Sequence, residues 1–336
     1  MATLYHGQVG MKKETTYGTG VTVDRFYEIL PDSSHDFDPE IIQGVGLRTG
    51  DGHRLSARRT PGTGKGDLTV KVEVISKSFG VLLESFAPAI AINNVTGSMY
   101  QIRALSTGTT TLSNSYTIQV GVPDMTGTVR PYTYAGCVAK SFEIDAPSRG
   151  VPTLSVSFWA SSVTTGTALA TASYASSPTI FTDQSGKAGV TLGGALTVPT
   201  TTALESGGTA NTNVRSWTLS GDLGINERPK VGGWQQPTLG RPSTQLKVDQ
   251  DFDALTTSAL VTSQGTTSFT GYFTGAQISS TDERFGVVVP TAQLTPGAFG
   301  QLTDGEGSVP SLTFDVQNNG TDAAWYVVAR TGDTAL

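Results

Sequence analysis

The chain has 336 residues, of which only 15% are charged, with 40 glycines, one cysteine and a formal net charge of −6. That balance speaks against a basic nucleic-acid binder, and a lone cysteine excludes an internal disulfide or a cysteine-based zinc cluster. No apolar run has the length of a membrane span, and the first ten residues lack the apolar centre of an export signal, so the chain is expected to be soluble. The Thr/Ser/Gly/Val texture favours strands and turns over helices.

Taken in order, residues 1–23 read as a Gly/Thr-rich N-terminal arm, and Phe26–Leu30 as a strand. Pro31 to Gly66 has no sustained period and reads as one long loop, a length that is usually functional or disordered. Residues 68–74 alternate cleanly, with Leu68, Val70, Val72 and Val74 on one face and Thr69, Lys71 and Glu73 on the other. A helix follows, because Phe79, Leu82, Leu83 and Phe86 fall at helical spacing, with Ser76 or Ser78 as its cap and Pro88 as its stop. Residues 89–113 read as an insertion, and strands are expected at 116–122, 132–144 and 154–160. A Ser/Thr/Ala/Gly tract at 164–186 resembles a linker.

Beyond it the same order returns. Val214–Leu219 stands for the first strand, 221–243 for the loop, and Leu246–Asp249 for the alternating strand. A weaker helix carries Phe252, Leu255 and Ala259 behind a cap at Asp251 or Asp253, and strands follow at 268–273, 286–289 and 312–316. Short phrases repeat as well: Val70-Lys71-Val72-Glu73 is echoed by Leu246-Lys247-Val248-Asp249, and Val151-Pro152-Thr153-Leu154-Ser155 by Val309-Pro310-Ser311-Leu312-Thr313. Internal repetition of this kind predicts one β-rich unit used twice, the first at 24–163 and the second at 187–336. A single sandwich without repetition is the alternative.

No catalytic constellation emerges. His6, His35 and His53 lie in arm or loop without metal-pair spacing. Gly62-Thr63-Gly64-Lys65-Gly66 lacks the hydroxyl residue after the lysine, and a strand rather than a helix follows it, so it reads as a turn rather than a phosphate loop. Cys137 falls in a strand and reads as a small buried apolar residue. Neither an enzyme nor a cofactor is expected.

Several phrases resemble a known family. Glu14-Thr15-Thr16-Tyr17-Gly18-Thr19 followed by Val23-Asp24-Arg25-Phe26-Tyr27-Glu28-Ile29-Leu30 is similar to the opening of the tail tube (major tail) proteins of long-tailed bacteriophages. So is Val120-Gly121-Val122-Pro123-Asp124 leading into Tyr132-Thr133-Tyr134-Ala135-Gly136-Cys137, and Trp217-Thr218-Leu219-Ser220-Gly221-Asp222 resembles the phrase that begins their later part. The resemblance implies a mainly β fold, here two tandem β-sandwich or barrel units, each with one flanking helix and a long loop. It implies a structural virion protein, made in the host cytoplasm, whose rings stack into a hollow tube around a tape-measure protein. Tail terminator and distal tail or baseplate proteins are the further partners, and double-stranded DNA passes through without specific binding. With two units per chain, three chains are expected to close a ring of pseudo-sixfold symmetry.

Residue candidates follow from that implied role. The basic loop residues Arg48, Arg54, Arg58, Arg59 and Lys65 are expected to contact the adjoining ring, steered by an acidic stretch from Asp282 to Leu336. Lys71, Glu73, Glu143, Asp145, Lys247, Asp249 and Asp315 are the candidate lumen-facing charges. A competing reading is a non-enzymatic β-sandwich binding or decoration protein of a virion, which predicts clustered exposed aromatics. Trp159, Trp217, Trp234 and Trp325 do not cluster in the sequence.

Overall fold

The computed structural model describes residues 7–46, 52–106, 114–182, 186–251, 265–278, 280–295 and 311–334. The architecture is mainly β, as composition and pattern predict, with one α-helix among the described residues.

In the first half the strands are β1 (Gln8–Lys13), β2 (Arg25–Tyr27), β3 (Ser34–Asp38), β4 (Ile41–Gln43), β5 (Arg59–Pro61) and β6 (Lys65–Glu73). Then come α1 (Gly80–Phe86), β7 (Ala89–Thr96), β8 (Met99–Leu105), β9 (Tyr116–Pro123), β10 (Val129–Ala146), β11 (Thr153–Ala160) and β12 (Ser162–Thr164). The second half holds β13 (Ala188–Leu192), β14 (Leu196–Thr197), β15 (Ser206–Gly207), β16 (Val214–Asp222), β17 (Ile225–Lys230) and β18 (Gly233–Leu239). It closes with β19 (Ser243–Gln250), β20 (Thr266–Ile278), β21 (Thr281–Leu294), β22 (Ser311–Val316) and β23 (Tyr326–Thr331).

Hydrogen bonding joins the strands of the first half in the order β1–β9–β10–β11–β6–β3. The second half is joined as β13–β20–β21–β22–β19–β16. These two orders are the same, strand for strand, and every pairing is antiparallel. The repeated phrases sit in the same register: Glu73, Val72 and Lys71 face Thr153, Leu154 and Ser155, while Asp249, Val248 and Lys247 face Ser311, Leu312 and Thr313. One face of each pair is therefore polar and the other apolar, as period-two alternation requires.

The halves are also joined to each other. The last part of β10 pairs with β16, from Ser141 opposite Asp222 to Ala146 opposite Trp217, and β8 pairs with β23. One buried cluster runs through both halves, including Val72, Leu154, Ile144, Leu219, Leu246 and Phe314 beneath the shared sheet. The helix is wedged at this seam. Phe86 stacks on Phe142 at 4.3 Å and lies beside Trp325 at 5.9 Å, and Phe79 meets Phe285 edge-on. Full burial of one such ring contributes about 1.5–3 kcal/mol.

Several expectations need adjustment. Neither Ser76 nor Ser78 caps α1, whose N-cap is Phe79 without a side-chain bond. Ser78 instead offers its N–H to Asp333, and Ser76 accepts from the Thr179 N–H. Residues 8–13, read as arm, form β1 between β2 and β9 and bury Val9 and Met11, so the segment is part of the wall. The 89–113 insertion begins as the β7–β8 hairpin, and the tract after β12 is strapped to the first half: the Gln119 amide donates to the Ala168 carbonyl and accepts from the Ala170 N–H, and Phe181 is buried. The weaker second helix falls at 252–264, outside the described residues.

The two loops are not irregular. β3 continues the sheet beside β6, and β4 pairs with β5, so the described residues of 34–61 form the two sides of a hairpin arm. Its counterpart is the β17–β18 hairpin, closed by a tight turn at Val231-Gly232 where Gly232 adopts φ 80°, a conformation that glycine enters without steric cost.

Candidate functional site

Cross-strand partners lie on the same side of a sheet, so the registers place the candidate charges directly. Glu143 stands opposite Ser155 on one flank and Ser220 on the other; Asp145 stands opposite Thr153 and Thr218. Thr218 in turn faces Lys247, Ser216 faces Asp249, and Gln245 faces Asp315. Lys71, Glu73, Glu143, Asp145, Lys247, Asp249 and Asp315 thus share one polar face, running β6–β11–β10–β16–β19–β22 across both halves. Its underside is the buried apolar row described above.

Besides Gln245, Asp222 and the Lys140–Asp67 ion pair, most of the remaining side chains of this face are small and hydroxylated, and with Gln245 they tie several of the carboxylates down. Thr218 Oγ1 donates to Asp145 at 2.8 Å, Ser216 Oγ to Asp249 at 2.9 Å, and Gln245 Nε2 to Asp315 at 3.3 Å. Lys71 pairs with Asp32 at 2.9 Å, and Lys247 approaches Asp249 at 3.6 Å. Glu143 and Glu73 are exposed and free to project. Five carboxylates against two ammonium groups make the seven candidates net acidic.

The arms emerge from one end of this face, where β6 begins. Arg54, Arg58 and Arg59 are exposed on the first arm, and Arg58 Nη1 donates to the Gly46 carbonyl at 3.0 Å. Arg48 lies outside the described residues. Lys65 is committed within the chain, to Glu227 of the second arm at 2.9 Å. Beside it the Trp234 indole N–H donates to the carbonyls of Gly64, at 2.9 Å, and Thr63, and its ring meets Trp159 edge-on at 5.3 Å. The two arms therefore lean on each other, with Ile41, Ile42 and Val45 exposed along the first arm and Val231 exposed at the turn of the second.

The acidic C-terminal stretch does not form one surface. Glu283 is buried and accepts from Thr179 Oγ1, Asp333 accepts from the Ser78 N–H, and Asp315 belongs to the polar face. Asp304 and Glu306 lie outside the described residues. Of the tryptophans, Trp159, Trp217 and Trp325 are buried and Trp234 is half-buried, which leaves no tryptophan ledge for sugar stacking. His35 is held by the Tyr134 hydroxyl at 2.9 Å beside the Tyr132 ring. Burial pushes its pKa down and pushes the Tyr134 phenol up to about 12.

One further site is visible only in three dimensions. The Glu14 carboxylate is buried and accepts from Ser115 Oγ, Thr117 Oγ1 and the N–H groups of Gly18 and Gly136, all within 2.7–2.9 Å. It fastens the segment after β1 onto β9 and β10. No spacing rule ties Glu14 to Gly136, so pattern reading alone misses it.

A sheet with one apolar face, one hydroxyl-rich acidic face and paired projecting arms has the make-up of a structural module. The chain matches the family model described as phage tail tube protein over residues 6–239, and it belongs to that family. It is thus a structural component of a phage virion. No curated protein matches the chain. Among the described residues no helix is long and apolar enough to cross a membrane.

Proposed function

We propose that three copies of this chain, each supplying two homologous units at 24–163 and 187–336 joined through 164–186, close a ring of pseudo-sixfold symmetry, and that stacked rings form the tube through which DNA leaves the capsid. The observation that carries this reading is the continuous polar face shared by both halves. A wall of six such units needs one recurring joint between neighbours, and the β10–β16 ladder supplies a pattern for it inside a single chain.

The polar face is the lumen wall. Duplex DNA carries one charge about every 1.7 Å of its axis and binds basic surfaces by releasing counterions. Glu73, Glu143, Asp145, Asp249 and Asp315 outnumber Lys71 and Lys247 on that face, so passing DNA finds no array of cations to hold it. The serine and threonine hydroxyls keep the surface wet without adding charge. The first arm projects past the end of the sheet, and its exposed arginines Arg54 and Arg59 contact the adjoining ring. A tape-measure protein fills the tube before DNA, and terminator and distal tail or baseplate proteins cap its ends.

Charge reversal tests the lumen assignment. Glu73 and Glu143 suit it, because both are exposed, whereas Asp145 accepts a bond from Thr218. Particles carrying Glu73→Lys and Glu143→Lys are expected to form intact tubes but to eject DNA several-fold more slowly, with the defect easing at high salt. Intact tubes with unchanged ejection kinetics would remove these residues from the lumen.

A further inference from the structure

The repetition extends into the feet of the two arms. Continuing the register of the shared strands outward from Lys71 and Lys247 aligns Pro61 with Pro237, Gly64 with Gly240, and Lys65 with Arg241. The same count carries Trp159 onto Gln317 and Arg58 onto Trp234. Each foot in the first half thus has a defined counterpart in the second.

Their surroundings differ. At the first foot the carbonyls of Thr63 and Gly64 accept from Trp234, Lys65 is paired with Glu227, and Trp159 is covered by the Trp234 ring. At the second foot the corresponding residues border a groove of about 790 Å³ that stands open among the described residues, lined by Leu239, Arg241, Gln317, Val316, Ala324 and Trp325 among others. What fills the first foot is the arm of the unit next in line, and among the described residues the second unit has no such neighbour within the chain.

We infer that this groove is the seat of the first arm of the next copy of this chain around the ring, an inference that rests on the ring reading given above. The occupant is chemically suited. Arg58 stands where Trp234 stands and, like the indole, is a donor without acceptor atoms, so its guanidinium can serve the Leu239 and Gly240 carbonyls beside Asp315. Glu40, exposed on the same arm, supplies the carboxylate that Arg241 needs in place of the Lys65–Glu227 pair. Ile41 and Ile42, 51% and 54% exposed, offer apolar surface to a groove floored by Val316 and Trp325. Burying such side chains contributes about 25 cal/mol for each Å² removed from water, which the isolated chain forgoes.

The test is cross-linking in assembled tubes. Trp159 and Trp234 touch within a chain, so their counterparts Gln317 and Arg58 are expected to touch between chains. Tubes assembled from Arg58→Cys/Gln317→Cys protein and treated with a bismaleimide should give covalent oligomers on a denaturing gel, and neither single variant should; Cys137 is fully buried and stays silent. Intact tubes of the double variant that yield only monomers would overturn the proposal. Filling the groove gives a second readout. Ala324→Trp is expected to leave the melting curve of the monomer in place and to reduce tube yield more than tenfold. Tubes in normal yield from that variant would overturn the proposal as well. Failure of the unmodified chain to polymerise would strike the ring reading itself, and it is seen before any variant is made.

Discussion

The two halves share a strand order but differ at their borders. In the second half Trp217 pairs with Val248, lies against Phe269 and Phe273, and is 3% exposed. Its counterpart in the first half is Ile29, which bridges Val72 and is 37% exposed. β16 is flanked on both sides, by β10 and β19, whereas β3 has β6 on one side and no strand on the other among the described residues. The same framework is thus closed at the joint inside the chain and open at the joint outside it. In the proposed ring, stability of the free chain and capacity to assemble would therefore reside in different copies of the same element.

Substitutions at the two joints separate those roles. The largest effect is expected at the closed joint: Trp217→Ala should cost about 3–5 kcal/mol, read as a lowered denaturant midpoint with little change in slope. Phe86→Ala, which empties the stack on Phe142 at the seam, belongs in the same range. Ile29→Ala should move the same midpoint by at most about 0.5–1 kcal/mol while impairing polymerisation. Equal destabilisation by the Ile29 and Trp217 substitutions would show that the two borders contribute alike to the stability of the free chain. Glu227→Gln removes the partner of Lys65, both about a third exposed, and is expected to cost about 0–1 kcal/mol.

The smallest effect concerns pH. Burial beside Tyr134 holds the His35 pKa below its ordinary value, against the opposing pull of Asp36. The folded chain therefore binds a proton at His35 less readily than the unfolded chain does. The stability this contributes is complete above the ordinary histidine value of about 6.5 and declines as pH falls through and below it. His35→Gln should flatten that part of the stability–pH curve, and an unchanged slope would show that other groups set it.

Much of this was legible in the residues. Alternation located β6, helical spacing located α1, and the two repeated phrases proved to share a register because the same residue types meet across β6–β11 and β19–β22. The seven candidate charges reach one face for the same reason: a period of two leaves no other choice once strands pair. The arms were harder to read. β4 and β17 are short, polar or bordered by Gly and Pro, and each is stabilised by a single partner strand rather than by an apolar face. β23, Tyr326 to Thr331, is buried on both sides at all positions but Arg330 and carries no alternation to betray it. Lys65 looked like one more basic loop residue, and only the contact between the arms reveals its partner Glu227.

If one chain carries two of the six units of a ring, native mass measurement of single rings released from tubes should find a species of three chains, with pairs of units related by the β10–β16 joint. A ring of six chains would rule that arrangement out.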